Sequence, residues 1–76
     1  MRDEKDLLKR IVRDPEILGG AATLSGTRVS VEMILDMLAH GWSVDEILEN
    51  YPFLEKDDIR VALLYAKKVL KEIKYE

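Results

Sequence analysis

Gly41-Trp42-Ser43-Val44-Asp45-Glu46-Ile47 is the stretch whose reading decides the fold. Glycine takes the left-handed backbone that stops a helix, and a serine followed three residues later by a glutamate is a capping box that starts another. Trp42, just ahead of the cap, is placed to staple onto Ile47. One helix therefore ends near His40 and the next begins at Val44, with a three-residue pivot between them.

Upstream of the pivot, Val31, Ile34, Leu35 and Leu38 repeat at helical spacing behind Ser30, a good N-cap, which predicts a helix over 31–40. Downstream, Val44, Ile47, Leu48 and Tyr51 share one face, and Pro52 pushes Tyr51 out of the helical region. A third helix is expected from Lys56 to about Tyr75, with Ile59, Ala62, Leu63, Ala66, Val69, Leu70 and Ile73 facing inward. Its cap is weak, since Glu55 stands where Ser, Thr or Asp would serve better.

The first third of the chain has no such period. Ile11-Val12 reads as a first strand, and Asp14-Pro15 followed by Gly19-Gly20 reads as one capped turn. Thr23-Leu24 and Arg28-Val29 flank Ser25-Gly26-Thr27 as two brief extended segments around a glycine turn. Strands this short need the helices or a second copy to lie against. The expected fold is mainly α: a three-helix, helix-turn-helix-like (homeodomain-like) bundle with a short N-terminal β-ribbon. Residues 11–76 form this single domain, and residues 1–10 a charged arm, frayed or in a short helix, with Leu7 and Leu8 as its buryable pair.

Composition sets the outer bounds. A chain of 76 residues supports one core, and with 47% apolar residues but few aromatics that core is small enough for self-association to help. There is no cysteine, no apolar run long enough to span a membrane, and no export leader in Met1-Arg2-Asp3-Glu4-Lys5-Asp6, so the expected location is cytoplasmic. The net charge of −3 is uneven: Met1 to Asn50 carries ten acids against six bases, Tyr51 to Glu76 five against six. A polyanion would meet the C-terminal part first.

Two surfaces of the third helix stand apart from its core stripe. Lys56, Arg60, Lys67, Lys71 and Lys74 fall within a narrow arc, a basic ridge suited to DNA phosphates, an acidic partner, or plain solvation. Glu55, Asp57 and Asp58 open the same helix, and carboxylates there repel phosphate, which turns any DNA contact toward the ridge. Val61, Leu64 and Tyr65 project off the stripe, as do Met33 and Met37 on the first helix; they are the expected homodimer interface unless the ribbon covers them. Arg28 suits a phosphate or carboxylate, or a tie to Glu32 or Asp36. No catalytic, cofactor or metal constellation is expected: His40 is the sole histidine, with no nucleophile and base around it, and the paired acids point in different directions on their helices.

Asp14-Pro15, Gly19-Gly20, Gly26-Thr27-Arg28-Val29, Gly41-Trp42-Ser43, Glu46-Ile47-Leu48, Tyr51-Pro52 and Ala62-Leu63-Leu64-Tyr65-Ala66 together resemble the signature of domain of unknown function 433, over about Ile11 to Ala66. The resemblance implies a small prokaryotic helix-turn-helix-like protein of an antitoxin-like kind, with a PIN-type toxin as possible partner. Two positions depart from that pattern: Ala21-Ala22 replaces a Lys-Pro pair, and Glu55 replaces a Thr or Ser cap. The functional expectation is a dimeric DNA-binding regulator or antitoxin-like protein, its rival a protein-interaction module on the same scaffold without DNA binding. Neither is an enzyme.

Overall fold

The computed structural model describes residues 3–73, so Lys74 of the ridge and the expected helix end at Tyr75 lie outside it. Among the described residues, the order is α1 (Glu4–Leu8), β1 (Ile11–Arg13), a 3-10 turn (Leu18–Gly20), β2 (Ala22–Leu24), α2 (Val31–Ala39), α3 (Val44–Asn50) and α4 (Lys56–Glu72). The fold is thus mainly helical with a small ribbon, as expected, and the N-terminal arm takes the short-helix form named beside fraying, which makes four helices rather than a three-helix bundle. This added helix packs on α4 and fully buries Leu7, so the arm is part of the core.

β1 and β2 pair antiparallel, with Ile11 opposite Leu24, Val12 opposite Thr23 and Arg13 opposite Ala22. The long connection between them is folded by Asp14, whose carboxylate accepts from the Glu16 amide at 2.9 Å, and by Gly19 and Gly20 at φ 66° and 89°. The Ser25-Gly26-Thr27 turn is present too: the Thr27 amide donates to the Leu24 carbonyl at 3.0 Å and the Leu24 amide to the Val29 carbonyl at 2.9 Å. β1 is the ladder partner of Thr23-Leu24, and beyond the glycine turn the chain pairs back only briefly, through the Leu24–Val29 hydrogen bond and a single antiparallel bridge between Thr23 and Ser30. A two-residue segment running straight into the Ser30 cap has no length left for a ladder.

Ser30 caps α2 through the Met33 amide at 3.0 Å. The helix ends as its glycine dictates. Gly41 sits at φ 92°, its amide donates to the Leu38 carbonyl and the Trp42 amide to the Met37 carbonyl, both at 3.1 Å. This pair of backward hydrogen bonds satisfies carbonyls that the helix end leaves orphaned. Two residues later the Ser43–Glu46 box opens α3, with reciprocal hydrogen bonds of 3.0 and 3.1 Å. Ile47 is fully buried while Trp42 stays 37% exposed.

The core draws on every helix: Leu7 of α1, Val31 and Ile34 of α2, Ile47 of α3, and Ile59, Val61 and Ala62 of α4, joined by Leu24 and Val29 of the ribbon and Leu54 of the last turn. α4 is rotated relative to the expected stripe. Val61 has no exposed surface, whereas Leu63, Leu70 and Ile73 are each at least half exposed. α1 docks on α4, and Leu7 joins the same core cluster as Val61.

Candidate functional site

α4 carries the described cations of the ridge, and Lys56, Arg60, Lys67 and Lys71 are all exposed. Lys67 is shared with α1, its ammonium lying 3.6 Å from the Glu4 carboxylate with both groups half in solvent. Lys56 and Arg60 line a shallow groove of about 530 Å³ with Ser43, Val44 and Leu63, so the starts of α3 and α4 form one surface there. Arg28 is exposed on its turn and makes no ion pair among the described residues, so neither the Glu32 nor the Asp36 tie forms.

The acids at the start of α4 are organised by a residue that sequence reasoning missed. Arg10, between α1 and β1, holds Glu55 at 2.9 Å, Asp58 at 3.0 Å and Asp57 at 3.8 Å. Asp58 is buried and also accepts from the Glu55 amide at 2.8 Å, supplying the cap that the Glu55 position lacked. The hydrogen bond to Asp58, opposed by partial burial and aided by Glu55, raises the Arg10 pKa above its already high value, so the clamp stays charged. These carboxylates therefore face an internal cation. Local sequence could not reveal this, because the clamp joins residues 48 apart.

The expected interface splits. Val61 is buried and cannot contribute an exposed surface; Met37, Leu64 and Tyr65 are half-buried against the core, and Met33 alone of the five is classed as exposed, at 37%. The open apolar surface lies further along α4. There, Val31 and Leu35 of α2 and Tyr65, Ala66, Val69 and Leu70 of α4 line a groove of about 520 Å³ that Arg13 and Glu32 also border. The Arg13 guanidinium donates to the Tyr65 hydroxyl at 2.6 and 3.1 Å and lies 5.9 Å from the ring centre. Arg13 was not singled out by the sequence, since β1 gives it no helical neighbour to pattern with.

His40 ends α2 as a structural residue, its Nδ1 2.8 Å from the Asp36 carbonyl. Among the described residues, no three His, Cys, Asp or Glu side chains are grouped to hold a metal ion, and no helix is long and apolar enough to cross a membrane.

With this geometry in hand, the chain can be set beside known proteins. It is 40% identical over 57 residues to the uncharacterised protein y4eO of Sinorhizobium fredii, a match covering 75% of this chain and 26% of that protein. The chain thus spans about a quarter of that relative's length. Its fold matches the crystal structure of a DUF433 member protein from Anabaena variabilis with a TM-score of 0.78 and 28% identity, over 90% of this chain and 67% of the other. The family description "protein of unknown function (DUF433)" matches residues 11–66, from β1 into the middle of α4, and the chain belongs to that family.

Proposed function

We propose that this chain is a small dimeric DNA-binding regulator, built on a helix-turn-helix-like (homeodomain-like) frame of α2, α3 and α4. The observation that carries the reading is the row of exposed cations Lys56, Arg60, Lys67 and Lys71 on α4, combined with the engagement of Glu55, Asp57 and Asp58 by Arg10. Lysine and arginine neutralise phosphates and release condensed counterions, whereas carboxylates at the same surface oppose that binding. Arg10 offsets one of the three carboxylate charges and buries Asp58 against itself, which lessens that opposition, so the ridge can follow a duplex backbone and exposed Arg28 is available for a further phosphate. Such contacts set register on the duplex, while base-edge reading falls to other residues or to the pairing of two copies. The role is that of a cytoplasmic binding protein, not an enzyme.

A salt titration of duplex binding tests the reading. Affinity falls steeply with salt, with a logarithmic slope of about 0.9 per phosphate contacted, and Lys67→Glu with Lys71→Glu flattens it. Undetectable binding at low salt would sink the proposal.

A second reading keeps the scaffold as a protein-interaction module, as an antitoxin-like partner of a PIN-type toxin would require. The open apolar groove beside Tyr65 and Leu70 favours it. Co-expression with the neighbouring gene's product distinguishes it: co-purification that is lost on changing Leu70 but kept on changing Lys71 supports this reading over the first.

A further inference from the structure

The second half of α4 carries one uncovered apolar side among its charged residues. Val69, Leu70 and Ile73 are 38%, 55% and 50% exposed within five residues, and the groove beside them is bordered by Arg13. Arg13 leans on the Tyr65 hydroxyl and has no carboxylate partner among the described residues. Glu72, on the last turn of the same helix, is exposed and likewise has no described partner.

Among the described residues these two charges are not paired within one chain. Arg13 is held at the level of Tyr65, and Glu72 lies seven residues further along a helix that rises about 1.5 Å per residue, roughly 10 Å away. Helical geometry nevertheless puts Tyr65 and Glu72 on the same side of α4, about 20° apart around the axis.

We infer that the groove is occupied by α4 of a second copy of this chain, packed antiparallel across a two-fold axis near Val69, with Glu72 of each copy paired to Arg13 of the other. A two-fold centred on Val69 sets Glu72 of one chain beside Ala66 of its mate, one residue from Tyr65 and its bound Arg13. The same operation keeps each side of one helix against the same side of the other, so the charge pair forms twice and the arrangement closes on itself. Val69, Leu70 and Ile73 then fill the apolar part of the groove, covering residues whose exposure a monomer leaves unexplained. A stable pair needs about 600–1,000 Å² from each copy, within reach of one face of a molecule measuring 40 × 29 × 29 Å. This interface rests on the dimeric part of the proposed function and replaces the expected one around Met33 and Val61.

Sedimentation equilibrium at tens of micromolar, with circular dichroism of each variant, tests the pairing. The wild-type chain is expected to be a dimer and Leu70→Asp a monomer with an unchanged helical spectrum. Arg13→Glu and Glu72→Arg each weaken the dimer about tenfold, since each breaks the pair twice, and together they restore it. A dimer that survives Leu70→Asp but splits on Met33→Asp overturns this interface while leaving the dimeric regulator standing. Failure of the charge swap to restore association overturns the antiparallel register. A wild-type monomer removes both the interface and the dimer, and the salt slope of duplex binding then judges the ridge alone.

Discussion

At the start of α3, Ser43 and Glu46 exchange hydrogen bonds of 3.0 and 3.1 Å, and both residues stand in solvent. At the start of α4, Asp58 likewise reaches back to the Glu55 amide, but it is buried and also holds Arg10, which comes from the other end of the chain. One opening is a local punctuation mark that decides where a helix begins. The other joins secondary to tertiary structure, because the residue that starts α4 also fixes where α1 and β1 rest. A cap completed by a distant cation turns a feature normally worth about 1 kcal/mol into a packing constraint.

The contrast predicts a graded response to substitution. Arg10→Ala leaves the buried Asp58 carboxylate with only the Glu55 amide, and should cost about 2 kcal/mol. That lies below the range for breaking fully buried pairs, because the Arg10 side chain keeps 21% of its exposure. Urea denaturation measures it, and a loss no larger than the roughly 1 kcal/mol of a local cap would put the two openings on equal terms. Ser43→Ala removes only a solvent-exposed hydrogen bond and should cost about 1 kcal/mol, read from the shift of a thermal melt.

The smallest effect is on pH dependence. The backbone and hydroxyl of Ser43 hold the Glu46 pKa below its ordinary 4.5. A depressed carboxylate adds stability that is complete above the unfolded value and disappears as pH falls through the folded one. Wild-type stability should therefore sag below pH 4.5 more than that of Glu46→Gln, and parallel acid titrations of the two proteins would erase the distinction if they coincided.

Local chemistry was legible in the sequence at α2 and α3, where partners lie within four residues, although the equally local Asp58–Glu55 cap of α4 reads as weak. Ser30, Gly41, Ser43 and Pro52 set the bounds of α2 and α3 to within a residue or so, because caps and stops act on the backbone beside them. What depended on the far end of the chain was not legible. Leu7 reads as part of an arm until α4 receives it, and the full burial of Val61 in the same core cluster is not encoded in the periodicity of α4. The same limit applied to the site. The cations of α4 were found at helical spacing, whereas Arg10 and Arg13 act across 48 and 52 residues, and only the fold brings them to Asp58 and Tyr65.

The Arg10 clamp also bears on where this module may be cut. The family model starts at residue 11, yet Leu7 and Arg10 lie before it, and one is core while the other is the counter-ion of a buried acid. The span of the family model is thus smaller than the unit of folding. A polypeptide trimmed to residues 11–66 would keep every recognisable motif and still remove Leu7 from the core and strand the charge of Asp58, so domain borders for this chain are better drawn from its contacts than from the family model's span.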